Sequence, residues 1–323
     1  MKHIGVLTSG GDSPGMNACI RAVVRAALSS GLQVTGIMRG YQGMIESDFV
    51  QMDGRSVSNI IQRGGTTLKS ARSQDFFSVE GRAKAFSNIQ AFGIDALVVI
   101  GGDGSFRGAE QFRKEFGIRS IGVPGTIDND LAGTDFTLGF DTAVNTAVEA
   151  IDKIRDTANS HDRLFFVEVM GRHSGHIALS VGLASGAESI LLPETVTDIN
   201  ALVASLRSGG NKNKSSNIVV VSEGDEAGGA FKIAEEVRKL APEYDTKVTV
   251  LGHIQRGGAP SAFDRILGTR LGVAAVEGLL SGKSDVMAGL INNQVAYTPY
   301  ATCVSADHTP NAEMIRLAYL TSI

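Results

Sequence analysis

Residues 96–105 read ALVVIGGDGS, and the interpretation of that run decides the fold. An unbroken apolar run of strand length, rich in Val and Ile, suits a strand covered on both faces; a half-exposed strand would alternate polar and apolar positions. The run stops at Gly-Gly-Asp and a helical pattern follows. The same order occurs at the start of the chain, where GVLTSGGD (5–12) is again an apolar strand closing on Gly-Gly-Asp. Further strand candidates are VTGIM (34–38), SIGVP (120–124), LFFVEVM (164–170), SILLP (189–193), NIVVVSE (217–223) and VTVLG (248–252). Between them lie amphipathic stretches. Ser13 and Pro14 suit the N-cap and first position of a helix running to about Ser30. Within 140–158, Val144, Ala147, Ile151 and Ile154 share one helical face. Strand–helix alternation of this kind predicts an α/β fold with mainly parallel sheets.

The chain has 323 residues, long for one core, and the length favours two domains. No linker separates them; only GGNKNKSSN (209–217) reads as a solvated loop. Apolar residues at 43%, charged residues at 20% and a net charge of −4 describe an ordinary globular chain and argue against a basic nucleic-acid surface. Cys19 and Cys303 lie far apart without metal or redox spacing. The first strand begins after three residues, leaving no room for a signal peptide, and no apolar run approaches the ~20 residues of a membrane helix. A cytoplasmic protein with no membrane partner is expected.

Glycine is over-represented, 39 of 323 residues against a usual ~7%. Pairs recur where strands end: Gly10-Gly11, Gly64-Gly65, Gly101-Gly102 and Gly257-Gly258. In open α/β sheets ligands bind beyond the carboxyl ends of strands, where backbone N–H groups face anions. Neither GxxxxGK[ST] nor GxGxxG occurs, so this is not a P-loop or a dinucleotide fingerprint. In Gly102-Asp103-Gly104-Ser105 the glycines let backbone approach phosphates and the carboxylate suits Mg²⁺; the same tetrad also suits a turn with an Asx cap. Arg72, Arg163, Arg172 and Arg256 sit beside such turns. Each alone reads as a surface charge, but four together offer planar forks for phosphate oxygens. The stretch VPGTIDND (123–130) adds Asp128 and Asp130 on a glycine-loosened loop, an arrangement that suits a cation or a transferring proton.

Seven segments in order, SGGDSPGMN (9–17), RGGT (63–66), SAR (70–72), GGDGS (101–105), PGTIDND (124–130), MGR (170–172) and GHIQRGG (252–258), closely resemble the bacterial 6-phosphofructokinase family. The likeness runs from the first strand to about residue 295. It implies two similar three-layer α/β/α (Rossmann-like) domains with the active site in the cleft between them. It also implies transfer of the γ-phosphoryl of MgATP to the 1-hydroxyl of fructose 6-phosphate, a committed step of glycolysis. By resemblance Asp128 is the general base, Thr126 contacts the sugar and the transferring group, and Asp130 organises the metal and nearby cations. Asp103 is the Mg²⁺ position. Gly11, Arg72, Ser73, Gly102, Gly104 and Ser105 serve ATP, with Arg72 stabilising the phosphoryl in flight. The sugar phosphate falls to Met170, Gly171, Arg172, Glu223, His253 and Arg256, with Arg172 also placed in the catalytic group. Arg163 and Lys247 match positions reaching the 6-phosphate from a neighbouring subunit, which implies a homotetramer. Lysine at 247 departs from the usual arginine and loses the bidentate fork. For His253 a buried, satisfied histidine is the alternative, and for Glu223 an exposed strand-end acid.

Arg21 and Arg25, spaced i, i+4 on the first helix, share a face. With Arg155, Gly186, Glu188, Lys212 and Lys214 they match the family's effector site for ADP or phosphoenolpyruvate between subunits. Ser216, His176 and Gly54 replace charged or histidine positions there, so a weakened allosteric response is expected. Pyrophosphate-using relatives usually carry Asp and Lys where this chain has Gly104 and Gly125; the glycines leave room for a nucleotide, so ATP is the expected donor. A lipid or NAD kinase shares GGDG turns but predicts no TIDND loop, and a non-catalytic sugar-phosphate sensor would be expected to lose Asp103 or Asp128. By the family's topology residues 1–139 plus 255–305 form the ATP-binding domain and 140–254 plus 306–323 the fructose 6-phosphate and effector domain. The segment 293–311 departs from the pattern and receives no role.

Overall fold

A computed structural model describes residues 1–159, 163–209, 217–305 and 310–321. In chain order the elements are β1 (His3–Thr8), α1 (Met16–Ser29), β2 (Gln33–Ile37), α2 (Gly40–Glu46), β3 (Phe49–Met52), α3 (Val79–Ala91), β4 (Ala96–Gly101), α4 (Asp103–Phe116), β5 (Arg119–Pro124) and α5 (Phe140–Asn159). Then follow β6 (Arg163–Val169), α6 (His176–Ser185), β7 (Ser189–Leu191), α7 (Ile199–Gly209), β8 (Asn217–Ser222), α8 (Gly229–Leu240), β9 (Asp245–Val250), α9 (Ala262–Leu280), β10 (Val286–Ile291), β11 (Gln294–Pro299), α10 (Tyr300–Ser305) and α11 (Ala312–Thr321). The chain divides into two compact units: Met1–Ile127 with Leu131–Thr142 and Arg256–Asp307, and Asp128–Asp130 with Ala143–Gln255 and His308–Ile323.

The first unit holds a seven-stranded sheet in the order β11-β10-β5-β4-β1-β2-β3. Its inner pairs are parallel, and β3 and β11 close the two edges antiparallel. Every residue of β1 and β4 is buried, as the apolar runs require, because helices cover both faces. On one side α1 and α9 pack with Ile4, Val6, Val98 and Ile100; on the other Tyr41, Phe76, Phe106, Phe112 and Tyr300 enclose Leu7, Leu97 and Val99. Burying each such side chain contributes roughly 1.5–3 kcal/mol. Helices α1 and α9 approach closely because Gly268 and Gly272 lack side chains: a Cβ there would lie 2.8 Å from the carbonyl oxygens of Gly15 and Cys19.

The second unit carries a four-stranded, fully parallel sheet, β7-β8-β6-β9. Leu164, Phe166, Val219 and Val221 meet Leu202, Leu206, Ile233 and Val237 of α7 and α8. The units differ in strand number, seven against four.

The structure shifts several expected boundaries; β9, expected at 248–252, runs over Asp245–Val250, and β7, expected at 189–193, over Ser189–Leu191. The first helix begins at Met16, not at Pro14, with Gly15 at its cap in a left-handed conformation (φ 99°) and Ser13 and Pro14 in the preceding turn. That φ suits glycine, and the backbone there passes against Asp264 of α9, whose carbonyl oxygen would be 3.2 Å from a Cβ at position 15.

Candidate active site

In the first unit β1 lies between β4 and β2, so successive crossovers leave it in opposite directions: β1 to β2 to β3 one way, β4 to β5 the other. Ligands of open α/β sheets bind at the carboxyl side of such a reversal. The loops there are knitted together. Ser9 N donates to Ile100 O at 2.9 Å, and Gly125 N donates to Gly101 O at 2.9 Å, aligning the ends of β1, β4 and β5. A Cβ on Gly101 would collide with Ser105 Oγ and lie 2.6 Å from Ser9 O, so only glycine fits. Asn17 of α1 clamps the 63–67 loop: its Nδ2 donates to Arg63 O and Gly64 O at 3.0 and 3.1 Å, and its Oδ1 accepts from Thr67 N at 2.7 Å. Gly64 in turn abuts the Gly258 backbone, bringing the two Arg-Gly-Gly segments back to back.

These contacts gather Gly11, Gly102, Asp103, Gly104 and Ser105 at one end of the sheet. Asp103 is exposed in the first turn of α4, and its side chain makes no hydrogen bond or ion pair among the described residues. An exposed carboxylate beside backbone that can receive phosphates suits Mg²⁺, which keeps waters and takes one or two carboxylates plus phosphate oxygens. Thr126 is buried and its carbonyl accepts from Thr137 Oγ1 at 2.6 Å; a Cβ on Gly102 would lie 3.8 Å from its Cβ. Arg72 is exposed, and Ser73 Oγ donates to Gln42 Oε1 at 2.7 Å. Arg256, expected among the sugar ligands, belongs to this unit: Nη1 donates to Asp12 O at 3.2 Å and would lie 2.7 Å from a Cβ on Gly11.

In the second unit Met170, Glu223 and His253 follow β6, β8 and β9, three strands adjacent in the sheet. Met170 and Gly171 are buried, Arg172 exposed and held at φ 53°. Glu223 fixes this turn: its Oε1 accepts from Gly171 N at 3.2 Å and Arg172 N at 2.7 Å, while Ser174 N donates to Gly171 O at 2.9 Å. Gln255, fully buried, accepts from Met170 N at 2.8 Å through Oε1. His253 is exposed, so the buried-histidine alternative falls.

Asp128 is 2% exposed, and Arg172 Nε lies 3.6 Å from its Oδ2. Ser174 Oγ donates to the Asp128 carbonyl oxygen at 3.0 Å. Asn129 follows in a left-handed conformation (φ 52°), and Asp130 is partly buried. The segment Ile127–Leu131 thus enters the second unit for three residues and returns to the first.

Asp245 brings together two of the expected phosphate-binding cations. Its Oδ2 accepts from Arg163 Nε at 3.0 Å and its Oδ1 from Lys247 Nζ at 2.7 Å. Parallel pairing sets Arg163 opposite Asp245 and Phe165 opposite Lys247. Lys247 first, then Arg163, hold the Asp245 carboxyl below its usual range. Of the expected effector residues, Arg155 Nη2 donates to the carbonyls of Ser185 and Gly186 at 2.6 and 3.2 Å. Glu188 is buried and its Oε2 accepts from Ile218 N at 2.7 Å. Arg21 is partly buried and Arg25 exposed on α1, in the first unit; Lys212, Lys214 and Ser216 lie outside the described residues.

Three residues of this geometry went unnamed as site residues from sequence: Gln255, Ser174 and Asp245. Asp245 had a local signal, since side chains two apart on a strand share a face and Lys247 was already singled out. Gln255 lies inside the GHIQRGG segment, but it and Ser174 act across the fold, and no local pattern names their partners.

The phosphofructokinase family model matches residues 3–279. The chain belongs to the phosphofructokinase family. It is 55% identical over 318 residues to the ATP-dependent 6-phosphofructokinase of Cytophaga hutchinsonii, covering 98% of this chain and 97% of that one. It is 56% identical over 323 residues to the ATP-dependent 6-phosphofructokinase 1 of Thermus thermophilus, covering both chains completely (100% each). Among solved structures, the phosphofructokinase of Saccharomyces cerevisiae superposes with a TM-score of 0.88 at 36% identity, covering 99% of this chain. This chain spans only 46% of that yeast chain. No helix among the described residues is long and apolar enough to cross a membrane.

Proposed function

We propose that this chain is an ATP-dependent 6-phosphofructokinase that converts fructose 6-phosphate to fructose 1,6-bisphosphate. The observation that carries the reading is Asp128: a buried carboxylate with a guanidinium beside it, on a loop whose residues 128–130 belong to the second unit. Full-length identity above one half to relatives so named supports it.

In the proposed reaction, Asp128 accepts the proton of the sugar 1-hydroxyl. The freed oxygen forms a bond to the γ-phosphorus as the bond to the β–γ bridging oxygen breaks, and ADP leaves. A carboxylate serves as such a base when it is in hydrogen-bond reach of the hydroxyl, and Arg172 Nε lies 3.6 Å from this one. The backbone of 101–105 and Gly11, with the exposed Arg72 guanidinium, receives the phosphates, since phosphoryl transfer depends mainly on positioning and charge stabilisation. Asp103 would hold Mg²⁺, which neutralises phosphate charge. Glu223 serves the sugar twice over, since Oε1 already holds the 171–172 backbone and Oε2 remains to accept from a sugar hydroxyl. Arg163 and Lys247, oriented by Asp245, reach the 6-phosphate of a neighbouring subunit in a cytoplasmic homotetramer. On this reading the first unit binds nucleotide and the second binds sugar phosphate and effector, with a reduced response to ADP and phosphoenolpyruvate.

ATP, not pyrophosphate, is the donor on steric grounds. Position 104 is open, with nothing within 4 Å of an added Cβ, whereas one at 125 would lie 2.9 Å from Met16 Cε and 3.1 Å from Ile100 Cγ2. A side chain at 125 would press on the end of β4, whereas the open position 104 leaves room for a nucleotide. The test is a coupled assay with fructose 6-phosphate and either donor, repeated on Asp128→Ser. Turnover with ATP, lowered ~10²–10⁴-fold in kcat by the substitution, is expected. Turnover with pyrophosphate alone, or an unaffected variant, would overturn the reading.

A further inference from the structure

Ser174 has a hydroxyl whose placement the proposed chemistry has not used. Its side chain is 5% exposed, and its described hydrogen bond is the one donated to the carbonyl oxygen of Asp128, 46 residues earlier, at 3.0 Å. The turn that carries Ser174 is held by other groups. Glu223 Oε1 accepts from the backbone N–H groups of Gly171 and Arg172, Gln255 Oε1 accepts from Met170 N, and Glu194 Oε1 accepts from Gly175 N at 2.7 Å. Ser174 also closes the turn through its own backbone, donating from N to Gly171 O. Removing the hydroxyl therefore leaves the sugar-side turn supported and releases a contact to the base-bearing residue.

We propose that Ser174 is a positioning residue for Asp128: its hydroxyl ties the peptide carrying the base to the rigid Met170–Gly175 turn and so sets the depth and direction of the carboxylate. The chain after Asp128 has an unusual backbone course. It continues into Asn129, a non-glycine residue in the left-handed region, in a segment that crosses into the second unit for three residues only. Ser174 and Arg172 of one turn then fix the base at two points, the backbone carbonyl by the hydroxyl and Oδ2 by the guanidinium at 3.6 Å. A base displaced by a fraction of an ångström from the attacking hydroxyl lowers turnover without weakening substrate binding.

This inference rests on Asp128 acting as the base, and the experiment separates the two. Steady-state kinetics with ATP and fructose 6-phosphate are measured on Ser174→Ala, Ser174→Gly, Ser174→Cys and, in parallel, Asp128→Ser, with thermal melting of each. The expected result for Ala and Gly is a fall in kcat of about tenfold with both KM values within about twofold of the parent. Cysteine, a weaker donor, recovers part of the loss. Parental kcat in the Ala and Gly variants overturns the proposal, as does a raised KM for fructose 6-phosphate at parental kcat, which would make the hydroxyl part of sugar binding. Failure of both variants to fold would make it a structural support and equally overturn it. If Asp128→Ser itself keeps parental kcat, the base assignment falls; if only the Ser174 variants do, the base stands and the positioning role alone is lost.

Discussion

On the proposed reading the two units solve two recognition problems differently. At the proposed phosphate end the backbone would do the binding: Gly101 admits no side chain, Gly104 faces open space, and Asp103 and Arg72 stand exposed. At the sugar end side chains from distant positions lock one turn, with Glu223, Gln255 and Glu194 each accepting from backbone N–H groups between Met170 and Gly175. The contrast follows from the ligands. A phosphate chain is a repeating anion that backbone dipoles and arginines can grip in many orientations, whereas a sugar phosphate is told from its isomers by hydroxyls of fixed direction, which demands fixed acceptors.

The contrast would break most visibly at Glu223. Glu223→Ala removes an acceptor of two backbone N–H groups together with the proposed sugar acceptor, and Arg172 loses support for its left-handed backbone. Hydrogen bonds to a charged group are worth about 1.5–3 kcal/mol each, so kcat/KM for fructose 6-phosphate should fall on the order of 10²-fold or more while KM for ATP stays near the parental value. Equal losses toward both substrates would mean that the turn is not private to the sugar.

The opposite half is probed at Gly104, where a side chain has room. Gly104→Asp should fold normally, then lower kcat/KM for ATP by about 10–100-fold, because a carboxylate set against phosphates costs several kcal/mol before counterions and relaxation reduce it. Unchanged ATP kinetics would show that position 104 does not face the nucleotide. Gly101→Ala, three residues earlier, should instead be lost in stability, by about 1–3 kcal/mol from overpacking, measured by urea melts.

The same difference explains how far the sequence could be read. Strands β1, β4, β5, β6 and β8 announced themselves as continuous apolar runs, and the glycines of the phosphate end stood out because backbone binding leaves its mark in residue type. Strands β3, β10 and β11 were missed. Phe49–Met52 is a four-residue edge with two exposed positions, Val286–Ile291 contains Ala288 and Gly289, and Gln294–Pro299 ends in a proline that an edge tolerates. Within the segment that departs from the pattern, Tyr300 and Cys303 are buried, and Tyr300 Oη lies 3.1 Å from Ser120 Oγ. The sugar turn was legible only as a motif, because the ties from Glu223, Gln255 and Ser174 span 46 to 85 residues and no local pattern encodes them.

Between the halves in size of effect stands Asp264, a fully buried carboxylate in the first unit that accepts from Gly139 N at 2.8 Å, Thr142 N at 2.9 Å and Thr142 Oγ1. Burial raises its pKa, against the lowering effect of those hydrogen bonds. The native state therefore holds this proton more tightly than the unfolded chain, whose value is about 3.9. Stability from this group is fullest below that value and declines as pH rises through the folded pKa. Asp264→Asn loses an acceptor and should cost about 1–3 kcal/mol, with the gap to the parent wider near pH 4 than at pH 7. Urea melts at both pH values check this; parallel stability curves would mean that Asp264 does not titrate differently on folding.

The smallest effect belongs to the exposed trio Arg163, Asp245 and Lys247. The Asp245 carboxyl is lowered by its two cations, so whatever it adds to stability is present above its unfolded pKa and is lost as pH falls through the lower folded value. Exposed pairs contribute little, and Asp245→Asn should leave Tm unresolved from the parent. Its consequence should be kinetic. Without the carboxylate, Arg163 and Lys247 face each other as like charges across adjacent strands, free to turn from the direction in which Asp245 holds them, and KM for fructose 6-phosphate should rise by a few-fold at unchanged kcat. Lys247→Arg should move KM the other way, because a guanidinium can satisfy Asp245 and a phosphate at once through its planar fork. An unchanged or raised KM in that variant would show that the lysine costs nothing here and that the pair is not aimed at phosphate.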